Sequence, residues 1–401
     1  MDQLFDLNLR HLGLLEIMHA SGSLSTAARE AAISQPALTQ ALAKLETAFG
    51  TQLFERTPLG IVVTPVGRRI LRRVGRGLNQ FGKALRTGRI DAQRKGTERY
   101  LTMAHVRGLL GLSEGGSFVR GAEIAGVSVP ALHRSVRDLE QLYGVPLVER
   151  RGRGVGLTRS GTKLADGFTL GVSELRTALD EAVHSGGRLA IGAMALSRSL
   201  LLPATLADLL RHAPDAHVDV VEGAYLELVE LLRSGRIDVI VGALREHPPR
   251  DLHQEALFVD WLTIIGRADH PLATRVAGFE DLAAFPWIIA RRASGLLERW
   301  QQLFDRAGKP RPRAPIQCGS VALIRGVLGR SDFLTLLSVD QVPSEIETGA
   351  LVRIRSEIPD TERTIGVITR RDWYPTSLQE AFMAALKRNV PAVQPAGEDA
   401  G

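Results

Sequence analysis

A single cysteine, Cys318, stands among 401 residues, so no disulfide can form within the chain and a disulfide-stapled scaffold is excluded. An inert, buried thiol is the expected state of Cys318, ahead of a redox sensor. No apolar run approaches the roughly 20 residues a membrane-spanning helix needs. The opening MDQLFDLNLR lacks a basic stretch followed by an apolar one, as a secretory leader would have. A soluble, cytoplasmic protein without a membrane partner is therefore expected. No Walker loop, HExxH pair or GxSxG elbow is present, so an enzyme is not expected. The ten histidines show no ligand spacing with Cys318, and neither a metal nor a cofactor is expected.

Hydrophobic residues at 44% and charged residues at 23% are enough for true cores, and this length suggests two or three domains. The net charge of +6 is unevenly placed. Residues 1–100 hold 15 Lys and Arg against 8 Asp and Glu, whereas residues 187–401 hold 25 against 27. The positive field sits at the N-terminal end, where a polyanion would be met.

A constant offset of 94 residues aligns 8–92 with 102–186, with about 19 identities over 8–67 and no gap. Gly22-Ser23 matches Gly116-Ser117, Pro36-Ala37-Leu38 matches Pro130-Ala131-Leu132, and Leu45-Glu46 matches Leu139-Glu140. Each copy reads as three short helices, a two-stranded hairpin and a long helix. In the first copy Ser23 is expected to cap the second helix. Ser34 is expected to cap the third, with Pro36 in its first turn. Leu38, Leu42 and Leu45 give that third helix an apolar face. This is the helix-turn-helix pattern, whose second helix enters the DNA major groove. Leu53–Val63 reads as a wing. The long helices carry matching stripes, Ile70, Val74, Leu78, Phe81 and Leu85 against Leu164, Phe168, Val172, Leu175 and Leu179, suited to coiled-coil pairing. Arg68, Arg69, Arg72, Arg73, Arg76, Arg86 and Arg89 load the first of them with charge for phosphates or an acidic partner. His11 and His105, equivalent positions on the first helices, are expected to serve packing.

The run Gly22-Ser23 … Ser34-Gln35-Pro36-Ala37-Leu38-Thr39 … Leu45-Glu46 … Gly50 … Leu53-Phe54-Glu55-Arg56 resembles the N-terminal domain of LysR-type transcriptional regulators. The resemblance implies a winged helix-turn-helix, a linker helix that pairs subunits, and a two-lobed, periplasmic-binding-protein-like α/β domain that senses a small effector. It extends over nearly the whole chain and departs in one respect: the DNA-binding unit and its linker occur twice. Fragments such as Gly235-Arg236-Ile237-Asp238 and Gly242-Ala243-Leu244-Arg245 resemble the branch that includes galactose-binding-protein regulators and regulators of aromatic-acid catabolism.

The layout implied is winged domain 1–64, linker 65–95, winged domain 96–158, linker 159–186, effector domain 187–390 and a disordered tail 391–401. Lobe 1 takes 187–267 and 363–390, and lobe 2 takes 268–362. The DNA-reading candidates of copy one are Ser34, Gln35, Pro36, Thr39, Gln40, Lys44 and Arg56. Those of copy two are Ser128, Pro130, His133, Arg134, Arg137, Arg150 and Arg153. Gln can bond adenine bidentately and Arg guanine, so the copies carry different chemistry.

In the effector domain, alternating strands and helices argue for an α/β sheet whose ligand sits beyond the strand ends, between lobes. Strands are expected at 188–193, 217–221, 237–241, 261–266, 287–290 and 364–369. The effector candidates are Ser197, Arg198, Tyr225, Ser294 and Ser320, with Arg291 and Arg292 nearby; the surplus of arginine suggests an anionic effector. The expected partners are double-stranded DNA, a small-molecule effector, further copies of the chain as a homodimer or homotetramer joined by linker helices and effector domains, and RNA polymerase. Two functional readings stay open. In one, a LysR-type regulator reads DNA and is controlled by the effector. In the other, a ligand-sensing protein bridges DNA and one winged domain serves only to pair subunits.

Overall fold

The computed structural model describes residues 3–58, 60–87, 100–151, 154–183, 187–194, 197, 199, 201–290, 295–357 and 361–390. Two compact units are present, Met1–Arg188 with Arg233–Arg236, and Leu189–Leu232 with Ile237–Gly401.

In the first unit α1 (Leu9–Ser21), α2 (Leu24–Glu30) and α3 (Gln35–Phe49) lead into an antiparallel hairpin, β1 (Phe54–Thr57) and β2 (Gly60–Val63), and then a long helix, α4 (Pro65–Thr87). The same order follows in α5 (Met103–Gly115), α6 (Phe118–Ala125), α7 (Val129–Tyr143), the hairpin β3 (Val148–Arg151) and β4 (Gly154–Leu157), and α8 (Arg159–Val183). The capping chemistry explains the boundaries. Ser34 Oγ accepts from the Ala37 N–H at 3.3 Å, Ser128 Oγ from the Ala131 N–H at 3.3 Å, and a proline follows in each first turn. Ser23 occupies the N-cap position of α2 but makes no cap bond, because its hydroxyl faces Ser25 Oγ at 3.0 Å. Its counterpart Ser117 does cap, accepting from the Arg120 N–H at 3.2 Å.

Thr64 starts α4 by accepting from the Gly67 N–H at 2.8 Å while donating to the Gln52 carbonyl at 2.9 Å. Thr158 repeats this for α8 with Gly161 at 3.0 Å and Pro146 at 2.9 Å. The two long helices, α4 and α8, then find each other. Phe81 meets Phe168 edge to face with ring centroids 5.6 Å apart, and Ile70, Val74, Leu85, Leu164 and Leu175 are buried in the same core as both helical units. The two helices run antiparallel, with Arg73 opposite Glu174 and Glu181, Gly77 opposite Gly171, and Gly167 opposite Ala84. The stripes expected to join subunits thus pack α4 against α8 within one chain. Being tethered, each helix meets the other at an effective concentration no second molecule matches.

The second unit starts with β5 (Arg188–Ala193), α9 (Leu201–His212), β6 (His217–Glu222), α10 (Tyr225–Arg233), β7 (Val239–Ala243) and β8 (Leu252–Arg267). It continues through α11 (Phe279–Ala283), β9 (Trp287–Ile289), α12 (Gly295–Arg306), β10 (Ile316–Gln317), α13 (Val321–Leu328) and β11 (Leu334–Leu337). It closes with α14 (Pro343–Glu347), β12 (Leu351–Arg353), β13 (Thr361–Arg370) and α15 (Ser377–Arg388). The strand order is β10-β9-β11-β8-β13-β7-β5-β6, with β12 also on β8. Strands β5 and β7 are parallel, as are β9 and its neighbours β10 and β11, whereas β13 runs antiparallel to both β7 and β8.

Strand β8 is far longer than the expected 261–266. Its first half, with polar His253, Gln254 and Glu255, pairs with β13, and its second half pairs with β11 and β12. One strand therefore serves both lobes, and its first half opens on polar His253, Gln254 and Glu255 before the short apolar run Ala256-Leu257-Phe258-Val259. Where β8 and β13 leave one lobe for the other, Arg363 donates from Nε to Asp260 Oδ2 at 2.6 Å, across the register pair Arg363–Asp260. Burial pulls the Arg363 guanidinium below its usual value, against the pull of Asp260. Among the described residues no helix is long and apolar enough to cross a membrane.

Candidate DNA interface and effector cleft

The helix α3 buries Leu38, Ala41, Leu42, Leu45 and Phe49, which leaves Gln35, Pro36, Gln40 and Lys44 exposed and Thr39 half-exposed. The Thr39 hydroxyl donates to the Gln35 carbonyl at 3.0 Å, so its proton is already engaged and it remains an acceptor with a free methyl. Ser34 spends its oxygen on the cap described above. On α7, Leu132, Val136, Leu139 and Tyr143 are buried, and Ser128, Pro130, His133, Arg134 and Arg137 are exposed. His133 stacks on Phe118 of α6 with ring centroids 3.6 Å apart and an interplanar angle of 16°. That stack fixes the imidazole plane, and sequence periodicity alone gives no sign of it. The 94-residue offset sets Asp138 where α3 has Lys44, so the two exposed faces differ in charge as well as in shape.

The hairpins are tied to these helices by a carboxylate. Glu46 Oε1 accepts from the Leu53 N–H at 2.8 Å and the Phe54 N–H at 3.3 Å. Glu140 Oε1 does the same with Leu147 at 2.8 Å and Val148 at 3.2 Å. These carboxylates orient each hairpin relative to its helix, and they recur at the 94-residue offset, Glu46 against Glu140. The β1–β2 hairpin also docks on the end of α1, where the Ile61 N–H donates to the Gly22 carbonyl at 2.8 Å. Gly60, at φ 134°, lies so close to that carbonyl that any side-chain carbon would overlap it. Arg56 and Arg150 are exposed on their hairpins, while Arg153 lies outside the described residues. His105 closes a capping box, its Nδ1 accepting from the Thr102 N–H at 3.3 Å, and burial holds its imidazole below the usual value.

Arg73 turns inward rather than toward phosphates. Its side chain is 4% exposed and reaches Glu174 at 3.0 Å and Glu181 at 3.3 Å on α8, while Arg76 reaches Glu174 at 2.8 Å. The acidic partner of this stretch of α4 lies in the same chain.

In the second unit the effector candidates are treated unequally. Ser197 is fully buried, its hydroxyl between the Met194 carbonyl at 2.8 Å and the Val241 carbonyl at 3.0 Å. This corrects the expectation that it faces a ligand: the turn after β5 needs the donor itself. Arg198, Ser294, Arg291 and Arg292 lie outside the described residues. Ser320 caps α13, accepting from the Leu323 N–H at 3.4 Å, and stays exposed. Cys318 Sγ accepts from the Ser320 N–H at 3.2 Å and is half-buried rather than fully buried. Tyr225 opens α10 and is 7% exposed, with the Arg245 guanidinium 4.5 Å from its ring centroid.

Arg245 was not among the effector candidates. Its main chain is held by the Gln254 amide, at 3.0 and 2.8 Å, and its guanidinium abuts Gly295 at the start of α12. The Arg245 cation thus lies between the end of β7 and the N-terminus of α12, the positive end of that helix's dipole. An anion fits both charges. Among the described residues no cluster of His, Cys, Asp and Glu could hold a metal ion.

Comparison with known proteins bears on the two repeated helical segments and on the α/β unit. The family described as LysR substrate binding domain matches residues 183–391, and that described as bacterial regulatory helix-turn-helix protein, lysR family, matches twice, over 9–68 and 103–162. The HTH-type transcriptional regulator GalR of Pseudomonas putida is 29% identical over 375 residues, covering 92% of this chain and 94% of its own. PcaQ of Agrobacterium fabrum, another HTH-type transcriptional regulator, is 27% identical over 296 residues, 72% of this chain but 95% of its own. Among solved structures, a full-length OxyR variant from Pseudomonas aeruginosa superposes with a TM-score of 0.55 at 21% identity, covering 74% of this chain and 99% of its own. CbnR, described as a LysR family transcriptional regulator, gives 0.51 at 19% identity, covering 72% of this chain and 99% of its own. With helix-turn-helix matches before a substrate-binding match that spans more than half the chain, the protein belongs to the LysR-type transcriptional regulators, DNA-binding proteins that carry an effector-binding domain.

Proposed function

We propose that residues 1–64 and 96–158 are two winged helix-turn-helix heads that both read DNA, and that one chain carries the paired, two-headed unit. The carrying observation is the antiparallel pairing of α4 with α8 inside the chain, with α3 and α7 both presenting exposed polar and basic side chains. In a symmetric dimer a second subunit supplies the second head. Here further association to dimers or tetramers would run through the effector domains. The length difference from PcaQ supports the same reading, since nearly all of that relative aligns to only 72% of this chain.

The test is a footprint on the DNA upstream of the protein's own gene, made with the full chain and two surface variants. One carries Gln35→Ala, Gln40→Ala and Lys44→Ala, and the other Arg134→Ala and Arg137→Ala. Each variant is expected to lose protection over a different part of the footprint. Full protection and affinity with the second variant would reduce the α7 unit to a pairing element.

Arg245, Tyr225 and the start of α12 support an anionic effector, such as an organic acid or a phosphorylated sugar, held between the lobes. Calorimetry with such anions tests this; Arg245→Ala is expected to weaken binding by about tenfold or more, a charge-assisted hydrogen bond being worth roughly 1.5–3 kcal/mol. Tight binding of neutral ligands alone would refute it. Effector control then requires different effector affinity in the two states of the regulator.

A further inference from the structure

We infer that the DNA site of this protein is asymmetric: two unlike half-sites in one fixed order, one read by α3 through amides and one read by α7 through arginines. The inference rests on the reading of both units as DNA-reading heads.

The pairing of the linkers carries the first part. Helices α4 and α8 are related by the 94-residue offset, so Gly77 and Gly171 are equivalent, and they face one another at the middle of the pair; a Cβ at Gly77 would lie 3.1 Å from the Gly171 carbonyl oxygen. Around that point the two helices are not interchangeable. Arg73 of α4 corresponds to Gly167 of α8, Glu174 to Gln80, and Glu181 to Thr87. In the observed pair Arg73 meets two carboxylates, and Gly167 lies so close to Ala84 that even one added carbon would overlap it. An α4–α4 pair would place Arg73 where Gly167 stands, with Gln80 and Thr87 in place of the acids. An α8–α8 pair would bury Glu174 and Glu181 against Gly167 with no cation. Both homotypic pairs therefore strand buried charge, and the first also clashes. Every DNA-reading pair then contains one α3 head and one α7 head.

The second part lies in what those heads display. Gln35 and Gln40 offer carboxamides, the group that bonds adenine N6 and N7 bidentately. Arg134 and Arg137 offer guanidinium forks for guanine O6 and N7, beside Val129 and the Phe118–His133 stack, an apolar surface suited to a thymine methyl. Because the heads differ, turning the DNA site end for end is not a symmetry of the complex. A palindrome can satisfy only one head.

The experiment is selection from duplexes randomised over about two helical turns, using the full-length protein at one salt concentration. The enriched sites are then rebuilt as the selected order and as a palindrome of each half. The expected motif is not palindromic, with its elements in one order, and each palindrome binds at least about tenfold more weakly than the selected order. Gln35→Ala, on the exposed face of α3, should relax base preference in one half only. Arg134→Ala should relax a guanine preference in the other half, by about 5- to 150-fold against the wrong base. A palindromic motif in which both substitutions weaken the two halves alike would overturn the asymmetry while leaving two DNA-reading heads intact. A motif with a single half, indifferent to Arg134→Ala, would overturn the two-headed reading and the asymmetry with it.

Discussion

Replacing Arg73 by Met removes the guanidinium that joins α4 to α8 and keeps most of its apolar length. Its side chain is 4% exposed, and the acids it meets, Glu174 and Glu181, are 12% and 18% exposed. Glu174 keeps Arg76, at 2.8 Å. Glu181 keeps nothing equivalent among the described residues, and its Oε2 is buried without a hydrogen-bond partner. Breaking a buried pair by removing one partner costs about 3–5 kcal/mol. Because some water reaches the acids, the lower end applies. About 3 kcal/mol corresponds to roughly a hundredfold change in an opening equilibrium. The assay is hydrogen exchange of the full chain, read at the amides of α4 and α8. Arg73→Met should speed exchange there by about two orders of magnitude. Adding Glu181→Gln should restore protection to within about 1 kcal/mol, since Glu174 still has Arg76 and Glu181 no longer carries a charge. Less than tenfold acceleration in the single variant, or no recovery in the double, would refute this account of the pair.

Glu46→Ala removes a carboxylate that accepts two wing N–H groups and should destabilise the first helical unit by about 2 kcal/mol, checked by faster exchange at Ile61–Val63. Arg56→Ala and Arg150→Ala, both on exposed wing positions, should each weaken DNA binding uniformly across sequences and reduce the slope of log affinity against log salt by about 0.9; an unchanged slope would remove that arginine from the phosphate contacts. Burial holds the His270 imidazole below its usual value of 6.5, with Nδ1 accepting from the Leu272 N–H at 3.1 Å. The unfolded chain therefore takes up the proton first, so this stabilisation is complete above pH 6.5 and drains as pH falls through that value. Exchange in β11 and β12 should be faster at pH 5.5 than at pH 7.5, and His270→Asn should flatten that difference.

The elements of the first unit were legible because local chemistry specifies them. Ser34 and Pro36 announce the start of α3, Thr64 announces that of α4, and the apolar stripes mark the faces that are buried. A stripe does not name its partner, however. Ile70, Val74 and Phe81 would read the same for pairing between chains, and only Arg73 against Glu174 and Glu181, roughly a hundred residues away, separates the cases. The effector cleft was less legible for a related reason. Ser197 carries the same hydroxyl whether it faces a ligand or two carbonyls, and Arg245 gains its meaning from Tyr225 and Gly295, which are distant in sequence. The first half of β8 was missed because the strand that covers it, β13, comes about a hundred residues later and supplies the context that its polar side chains lack.

The in-chain pairing of α4 and α8 also changes how the protein responds to dilution. A homodimer held by linker helices loses its second head as its concentration falls toward the dissociation constant, and its occupancy of DNA then rises as a higher power of protein concentration. Here the joining step is unimolecular. A cell holding a handful of copies would keep α4 on α8 in every molecule, and, with α3 and α7 both reading DNA as proposed above, a titration of DNA with this chain should show no steepening from association of these helices, even where the molecules are too sparse to meet.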